Sequence, residues 1–395
     1  MLKINFRIKR ASIFPILLAI FIVRPYYVQM YSRLNTLWAY SMLGLSIWSV
    51  YKNISVIKNN KGLTVLSTAI YIFCFLYIFS TLMNERSNTI SAISECAQMI
   101  GGFNLGLLTV NPIYKKTAVF AMRRIFTAYL YLDAFLGFLN MGSLLGLSRE
   151  MTFLGYDNYA SYCILPMLAI KFSLDYQLQN KIKGETWFCC FICIAYKIRT
   201  VSFNGLFLLC IFGLLCYIVI HRRDFGKIFT PKMGLLIVVV LVIGVNVFKI
   251  QNAFSGILLS SGKGTTLGFR TVIWDYTIRA LFSAPLWGYG KIDNGSFQTI
   301  VGLSPVWDKQ ANHAHNLLLE LWFSNGIIGM LIYIIIIAIC AKGLRKKWHD
   351  GAYRILVCGV FIYVLLGFID GYPYIASSYV LFSLLYCIGV HTECR

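Results

Sequence analysis

Charged residues are scarce in this chain, and acidic residues are the scarcest. Only 13% of its 395 residues are Asp, Glu, Lys or Arg, about half the fraction that is usual in soluble domains. The 15 acidic residues stand against 36 Lys and Arg residues, which are scattered between apolar runs. The low charge argues against a soluble protein. The scattering argues against a nucleic-acid-binding domain, which needs a clustered basic surface.

No cysteine lies in the segment 252–316, so a disulfide framework is not expected there. Of the 12 cysteines, all but Cys394 of the C-terminal tail fall in apolar runs. Small, weakly polar side chains in such runs are usually packing residues. We therefore predict that Cys189, Cys190 and Cys193 share a helix face rather than form a metal site.

Hydrophobic residues make up 58% of the sequence and come in runs long enough to cross a bilayer. A transmembrane helix needs about 20 apolar residues, and about twelve such runs can be identified. The predicted fold class is therefore an all-α, polytopic transmembrane helix bundle. The predicted spans are residues 13–31, 34–51, 63–83, 89–110, 118–140, 159–178, 186–200, 203–221, 233–250, 317–341, 353–370 and 374–391.

Basic residues set the predicted orientation of these spans. With a cytoplasmic N-terminus, about two thirds of the 36 Lys and Arg residues fall on the inner side, as the positive-inside rule requires. The alternation survives all the crossings, so the C-terminus is predicted to be cytoplasmic too. The basic stretch 3–10 before the first apolar run resembles a signal peptide. No small-residue cleavage site follows it, so an uncleaved first span is expected.

The predicted topology divides the chain into three parts: spans one to nine at 1–251, a long external loop at 252–316, and spans ten to twelve with the tail at 317–395. Long loops that have structure of their own usually carry function. Within the loop, Phe269 to Phe282 is predicted to be helical, with an apolar stripe on one side. That stripe is expected to lie on the membrane surface or to pack on the spans. Its residues are Trp274, Ile278, Leu281 and Phe282.

Histidine is rare, and two of the five histidines, His313 and His315, stand together at the predicted outer mouth of span ten. A neutral imidazole is well suited to take a proton near neutral pH. A metal site is not predicted, because a site needs three or more converging ligands and the loop offers no third His or Cys and no cluster of acids. The alternative is an interfacial histidine pair without a chemical role.

Several polar side chains on the predicted outer side could contact a ligand. Arg270 lies on the apolar helical segment of the loop, and arginine is the side chain best suited to bidentate phosphate binding. Lys197 and Arg199 lie at the outer ends of spans seven and eight, where basic residues are disfavoured. For all three, snorkelling to lipid headgroups is the alternative. Asn158 lies in a polar turn just outside span six.

These motifs resemble the O-antigen polymerase and ligase family of membrane glycosyltransferases. The similar stretches are His313-Ala314-His315-Asn316 with Glu320 and Gly326 to Gly329; Arg270 with Trp274; Pro285 to Gly290, which includes Tyr289; and Gly155 to Asn158. The first three groups all begin within one long external loop, as in that family. The chain departs from the family at Ser202-Phe203, where relatives carry Ser-Arg, and Arg199 is the expected substitute.

The resemblance implies a GT-C-like fold and a metal-independent, inverting transfer of a glycan from polyprenyl pyrophosphate, with no cofactor and no nucleotide sugar. It implies that His315 takes a proton from the acceptor and that Arg270 stabilises the leaving pyrophosphate. The expected substrate-binding residues are Arg199, Lys197, His313, Asn316, Trp274, Tyr289 and Asn158. The expected partners are the lipid-linked oligosaccharide, membrane lipid, and a chain-length regulator and flippase of the same pathway, in a bacterial cytoplasmic membrane.

Three alternatives stay open at this point. A ligase of the same family would use the same donor, and a polymerase of capsule, exopolysaccharide or O-antigen is preferred only on residue usage rich in Lys, Ile, Asn and Tyr. A glycan flippase or other transporter would fit the span count, but it does not need a histidine pair in a long loop, and no paired halves are visible. A non-enzymatic partner of an assembly complex would not need His315 or Arg270.

Overall fold

The computed structural model describes residues 13–144, 151–200, 202–221, 266–284, 286–293, 295–303, 311–342 and 347–390. The predicted span 233–250, the first part of the loop at 252–265, Cys394 and the basic N-terminal stretch lie outside these residues. Within them the regular structure is helical, and the extended pairing consists of two isolated bridges, Ser87 with Ile292 and Met151 with Tyr156.

We number the helices of the described residues in chain order. They are α1 (Ile13–Phe21), α2 (Tyr26–Met30), α3 (Ser32–Lys58), α4 (Lys61–Leu82), α5 (Thr89–Leu107), α6 (Lys115–Phe138), α7 (Met141–Leu144), α8 (Asp157–Gln179), α9 (Gly184–Thr200), α10 (Phe203–His221), α11 (Thr266–Leu281), α12 (Ser296–Val301), α13 (Leu317–Cys340), α14 (Gly351–Ile369) and α15 (Ala376–Val390).

The predicted spans coincide with helices wherever the structure describes them, with one correction in the first. There, α1 ends at Phe21 and α2 begins at Tyr26. Pro25 stands between them in an extended conformation and precedes the first turn of α2. Proline has no N–H to donate to the preceding turn, so it is favoured at the start of a helix and not inside one. The predicted first span is therefore two short helices in its described part.

The chain is a polytopic helical membrane protein. Four helices of the described residues are long and apolar enough to cross a bilayer on length and composition alone: Lys61–Leu82, Asn204–His221, Leu317–Cys340 and Gly351–Phe368. The shorter α15 is also apolar. Other helices carry polar residues among the apolar ones, such as Gln98 and Asn104 of α5, which face the protein interior. Polar groups in spans normally face the interior in this way.

Helix α15 lies at the centre of the bundle, since all its residues except Val390 are buried. It packs against α5 and α8, while α13 packs against α4 and α14 against α8 and α10. The α5–α15 contact is close because α5 presents glycine: a Cβ at Gly102 would lie 2.3 Å from the carbonyl oxygen of Ala376. Small residues allow such close approach of spans.

The cysteines behave as packing residues. The eleven cysteines in the described part are all free thiols, and all but Cys210 are buried. Cys189, Cys190 and Cys193 are buried on α9. The predicted helix face is therefore confirmed, and no disulfide forms among the described residues.

Helix α13 is kinked at Gly326, where φ is 68°. The kink releases carbonyl groups from the helix ladder, and a neighbouring segment takes them: Tyr289 N–H donates to Phe323 O at 2.6 Å and Gly290 N–H donates to Ser324 O at 3.0 Å. We call residues 286–293 the strap. A Cβ at Gly326 would lie 1.9 Å from the carbonyl oxygen of Leu286, so only glycine allows this approach.

The strap is also fixed to α4 and α5, and α4 packs against α13. The backbone N–H of Lys291 donates to Thr81 Oγ1 at 2.9 Å, and its ammonium lies 2.6 Å from Glu95 Oε1. The Asn84 side chain donates to Tyr289 O at 2.8 Å. The described part of the long loop is therefore tied to α4, α5 and α13 and is not a free connection.

The loop has a small hydrophobic core of its own, separate from that of the bundle. Its buried members come from α11, α12, the histidine segment and α13: Ile273, Leu281, Phe297, Val301, Leu303, Ala311, Ala314 and Phe323. The helix predicted at 269–282 is confirmed as α11. Its apolar stripe is divided, because Trp274 and Leu281 are buried whereas Ile278 and Phe282 are exposed.

Candidate active site

The histidine pair lies directly before α13, and Asn316 begins that helix. The Asn316 side-chain oxygen accepts hydrogen bonds from the backbone N–H groups of Leu318 at 3.0 Å and Leu319 at 3.2 Å. This is an N-cap, the usual role of asparagine at a helix start. The Asn316 side chain therefore holds the first turn of α13.

Two further features shape the His313–His315 segment. Glu320, one turn into α13, accepts a hydrogen bond from the Ala314 N–H at 2.9 Å and so fixes the backbone between the two rings. His315 has a φ of 48°, in the left-handed region that residues other than glycine seldom adopt. Strain of this kind persists where the surroundings over-determine a conformation, often at functional sites.

A carboxylate from outside the loop completes the site. Asp370 follows the last residue of α14 and is 1% exposed. The turn that carries it is held by two buried tyrosines: Tyr162 of α8 donates to the Asp370 carbonyl oxygen and Tyr363 of α14 donates to the Tyr372 carbonyl oxygen. The Tyr372 ring in turn packs on His313, with ring centroids 4.7 Å apart.

Both histidines contact the same carboxylate oxygen. His313 Nε2 lies 2.7 Å and His315 Nδ1 lies 3.2 Å from Asp370 Oδ1, which also accepts from the Gly371 N–H at 3.1 Å. An ionised carboxylate only accepts hydrogen bonds, so each of these ring nitrogens must carry a hydrogen. In a neutral His315 the other nitrogen, Nε2, is then free to accept a proton.

Arg270 of α11 approaches the same carboxylate from the other side. Its Nη2 lies 3.8 Å from Asp370 Oδ2, and the residue is 7% exposed. Trp274, one turn further along α11, is also buried, and its indole N–H has no hydrogen-bond partner among the described residues. The site thus joins α11, the histidine segment and the end of α14.

The electrostatics of the site favour an ionised Asp370 and a neutral His315. The pKa of His315 is lowered to about 4, mainly by burial. The charges of His313 and Arg270 act in the same direction, and the charge of Asp370 opposes them. Burial by itself raises the pKa of Asp370, but the two histidines outweigh it and hold that pKa well below its usual range. A neutral imidazole oriented by a carboxylate can act as a general base at neutral pH.

The site also contains three groups of metal-ligand type. The ligand atoms of His313, His315 and Asp370 all lie within 4.8 Å of one another. The loop alone offers no third ligand, but the folded chain brings Asp370 from the end of α14 to the histidine pair. Ligands of a tetrahedral zinc at about 2.0–2.2 Å stand roughly 3.3 Å or more apart, whereas His313 Nε2 and Asp370 Oδ1 are at hydrogen-bond distance. Arg270 adds a positive charge, so we interpret the trio as hydrogen-bonded.

Comparison with known proteins bears on what this site does. Residues 188–334 match the family model described as O-antigen ligase. No curated protein and no solved structure matches the chain. The resemblance seen in the motifs is thus confirmed for the part of the chain that carries Arg270 and both histidines.

The matched stretch extends from α9 past the kink of α13 to residue 334, and it omits Asp370. The histidine segment and α11 therefore belong to the domain, but the carboxylate that joins them comes from the following helix. The turn at Asn158 likewise precedes the domain. Asn158 lies in the first turn of α8, beside Tyr159, whose ring centroid is 5.2 Å from that of Tyr372.

The two basic residues at the end of α9 belong to the domain but are not among the contacts of Asp370. Lys197 is fully buried, and its ammonium lies 5.0 Å from the Tyr196 ring centroid. The charge of Lys197 acts on Asp133 of α6, which accepts a hydrogen bond from the Tyr196 hydroxyl. Lys197 thus lies in a second buried polar cluster, together with Asp133 and Tyr196.

Arg199 remains near the surface of the domain. Its Nε donates to the Phe138 carbonyl oxygen at 3.0 Å, and its side chain is exposed. With Gly137, Asn140 and Thr200 it lines a cavity of about 320 Å³. Arg199 could contact a ligand there, but its recorded contacts do not join it to Arg270.

Tyr289 has a structural position in the domain. Its hydroxyl donates to the Ala280 carbonyl oxygen of α11 at 2.9 Å, and its ring packs on Phe323 with centroids 4.9 Å apart. Together with the backbone bonds of the strap, these contacts link α11 to α13. Of the residues expected to bind substrate, His313, Asn316 and Trp274 are the ones that lie with His315 and Arg270.

Two site residues were missed at the level of sequence. Asp370 is an ionisable residue at the end of an apolar span, and such residues are functional candidates by default. That signal was present in the sequence. Glu320 was noticed only as part of a motif, and its bond to Ala314 N–H could not be read from spacing alone.

Proposed function

We propose that the chain is a polysaccharide polymerase that transfers a glycan from a polyprenyl-pyrophosphate donor to a hydroxyl of a second lipid-linked glycan. The observation that carries the proposal is the convergence of His315, Asp370 and Arg270 next to a membrane span within and beside the O-antigen ligase domain. A proton acceptor and a phosphate-binding cation in one buried place are the two groups that such a transfer needs.

Arg270 is assigned to the leaving group. In the transfer, the bond between the anomeric carbon and the pyrophosphate oxygen breaks, and the pyrophosphate leaves with the bonding electrons. A guanidinium near this oxygen stabilises the charge that develops there. Because Arg270 is buried, its field is less screened than that of a surface arginine.

His315 is assigned to the acceptor. The acceptor oxygen attacks the anomeric carbon while its proton passes to His315 Nε2, and the new glycosidic bond forms on the face opposite the leaving group. A single displacement of this kind inverts the anomeric configuration. Asp370, through its contact with Nδ1, positions the ring and stabilises the imidazolium that forms. No metal ion is required by this scheme.

A ligase is the second candidate, because the matched family model is described as O-antigen ligase. A ligase would move a finished glycan to a different acceptor with the same donor chemistry. Glycan analysis of a deletion strain separates the two. Chains of one repeat unit support the polymerase, and full-length chains left on the lipid support the ligase.

The in vitro test uses purified protein and a lipid-linked repeat unit. The proposal expects polymer without added metal and no inhibition by EDTA. Inhibition by EDTA that a divalent cation reverses would contradict the metal-free scheme and would assign His313, His315 and Asp370 to metal binding. A transporter or an assembly partner would form no polymer at all in this assay.

We also propose that the site faces outward in a bacterial cytoplasmic membrane, with both termini inside and a flippase and chain-length regulator as pathway partners. The support is the distribution of Lys and Arg along the sequence. Ser261→Cys, in a background without the native cysteines, should react with an impermeant thiol reagent in intact cells. Reaction only after permeabilisation would refute this orientation.

A further inference from the structure

The Asp370 carboxylate is partnered unevenly. Oδ1 accepts hydrogen bonds from His313, His315 and Gly371, whereas Oδ2 is buried without a hydrogen-bond partner in the described part of the chain. The cation beside Oδ2 is Arg270, at 3.8 Å. Charge-assisted N–H···O bonds are about 2.7–2.9 Å long, so this ion pair is incomplete.

Arg270 is also sparsely paired within the described part of the chain. Among these residues Asp370 is its one ion-pair partner, although its side chain is almost wholly buried. A guanidinium has five N–H donors, and a buried cation that is only partly paired costs stability. The neighbouring Trp274 indole N–H is buried and has no hydrogen-bond partner among the described residues. A ligand with several anionic oxygens could accept from this indole N–H and pair with Arg270.

We propose that Asp370 competes with the pyrophosphate of the donor for Arg270, so that Arg270 leaves Asp370 when the donor binds. The inference rests on the proposed function, because it takes the anion to be the donor's pyrophosphate. Pyrophosphate carries more charge than a carboxylate and can reach bidentate contact, so it wins the exchange. Asp370 then serves the histidines alone.

The proposal gives Asp370 two opposed effects. As a positioning residue it holds His313 and His315, so its loss should lower turnover. As a competitor it holds Arg270 away from the donor, so its loss should tighten donor binding. A residue with a merely structural role would weaken both, or neither.

The experiment is a double-mutant cycle on binding. Farnesyl pyrophosphate is the probe and farnesol the uncharged control, titrated by calorimetry into the full-length protein in detergent. Asp370→Asn should lower the Kd for farnesyl pyrophosphate about 3- to 10-fold. Arg270→Ala should weaken it, and Asp370→Asn should add nothing in the Arg270→Ala background. Glu320→Gln removes a nearby carboxylate that contacts Ala314 instead of Arg270, so it should change binding less than Asp370→Asn.

The outcomes separate the inference from the function. Asp370→Asn could tighten farnesyl pyrophosphate binding equally in the wild-type and Arg270→Ala backgrounds. That result would mean that removing a negative charge is enough, without release of Arg270, and it would overturn the proposal. So would unchanged or weaker binding in Asp370→Asn. If the wild type binds farnesyl pyrophosphate no better than farnesol, the proposed function fails together with the inference. Asp370→Ser provides the same test if the asparagine variant does not accumulate as folded protein.

Discussion

Two buried polar clusters each hold a carboxylate near basic residues, and they differ in how fully the carboxylate is hydrogen-bonded. In the first, Asp133 accepts from the Leu154 N–H with one oxygen and from the Tyr196 hydroxyl with the other, and Lys197 supplies the positive charge. Every oxygen of this carboxylate is satisfied. The cluster fastens the turn before α8 to α6 and α9.

In the second cluster, only one of the two carboxylate oxygens has hydrogen-bond donors among the described residues. Asp370 Oδ1 has three donors, and Arg270 lies beyond hydrogen-bond distance of Oδ2. Within the described residues, neither Oδ2 nor the Trp274 indole N–H has a hydrogen-bond partner. Buried polar groups are normally hydrogen-bonded, so exceptions need a reason. A closed network holds a fold together, and an open one at a strained histidine indicates a place for a ligand.

The largest effect is expected from His315→Ala. A general base contributes about a hundred- to ten-thousandfold, so polymer should vanish in the in vitro assay while protein level and donor binding stay nearly normal. His313→Ala is the matched control, since it removes the neighbouring imidazole but leaves the His315–Asp370 contact, and its loss should be smaller. Near wild-type product from His315→Ala would refute the assignment of the base.

The second effect concerns the shape of the cation. Arg270→Lys should be nearly as damaging as Arg270→Ala, each costing on the order of a hundredfold in rate, because a lysine cannot copy bidentate phosphate contact. Chain length of the product and initial rate are the measurements. Full polymer length from the lysine variant would reduce Arg270 to a point charge.

The third test is the pH profile of the wild type. An ordinary histidine loses its basic form below pH about 6.5, but in His315 burial moves this loss to about 4. Activity governed by free His315 should therefore persist as pH falls through 6 and decline only towards 4. An acid limb near 6.5 in kcat/KM would show that His315 is more exposed than the structure has it.

The same shift affects stability with a definite sign. Between pH about 6.5 and 4 the unfolded chain binds a proton at His315 that the folded chain does not. The folded state is therefore destabilised as pH falls through this window. His315→Gln should flatten the fall in Tm over that range, and an unchanged slope would argue against a buried neutral ring.

The outcome for sequence-based prediction differs between the bundle and the site. Spans could be predicted closely because apolar run length is a local property, and α4 to α6 lie within a few residues of the expected ranges. The His315–Asp370 contact joins residues 55 positions apart, and no periodicity reports it. The cap role of Asn316 was not predicted for a related reason, since a position before an apolar helix fits a helix cap as well as a ligand contact. The sequence does not distinguish the roles of Lys197 and Arg270. The structure places Lys197 in the cluster of Asp133 and Tyr196 and Arg270 beside Asp370.

The smallest effect on rate is expected from changes in the first cluster. These changes test whether that cluster stabilises the fold without taking part in the reaction. Lys197→Met removes the positive charge that acts on the buried Asp133 carboxylate, so the folded state should become less stable. Thermal unfolding in detergent should show the loss, and Asp133→Asn in the same chain should recover much of it. Turnover per folded molecule should change little, as it should for Arg199→Gln, which alters an exposed side chain on the same helix.

The family resemblance implies the opposite for Lys197, namely contact with pyrophosphate. A large fall in turnover with unchanged stability would therefore show that the donor reaches Lys197 and that the first cluster is part of the active site.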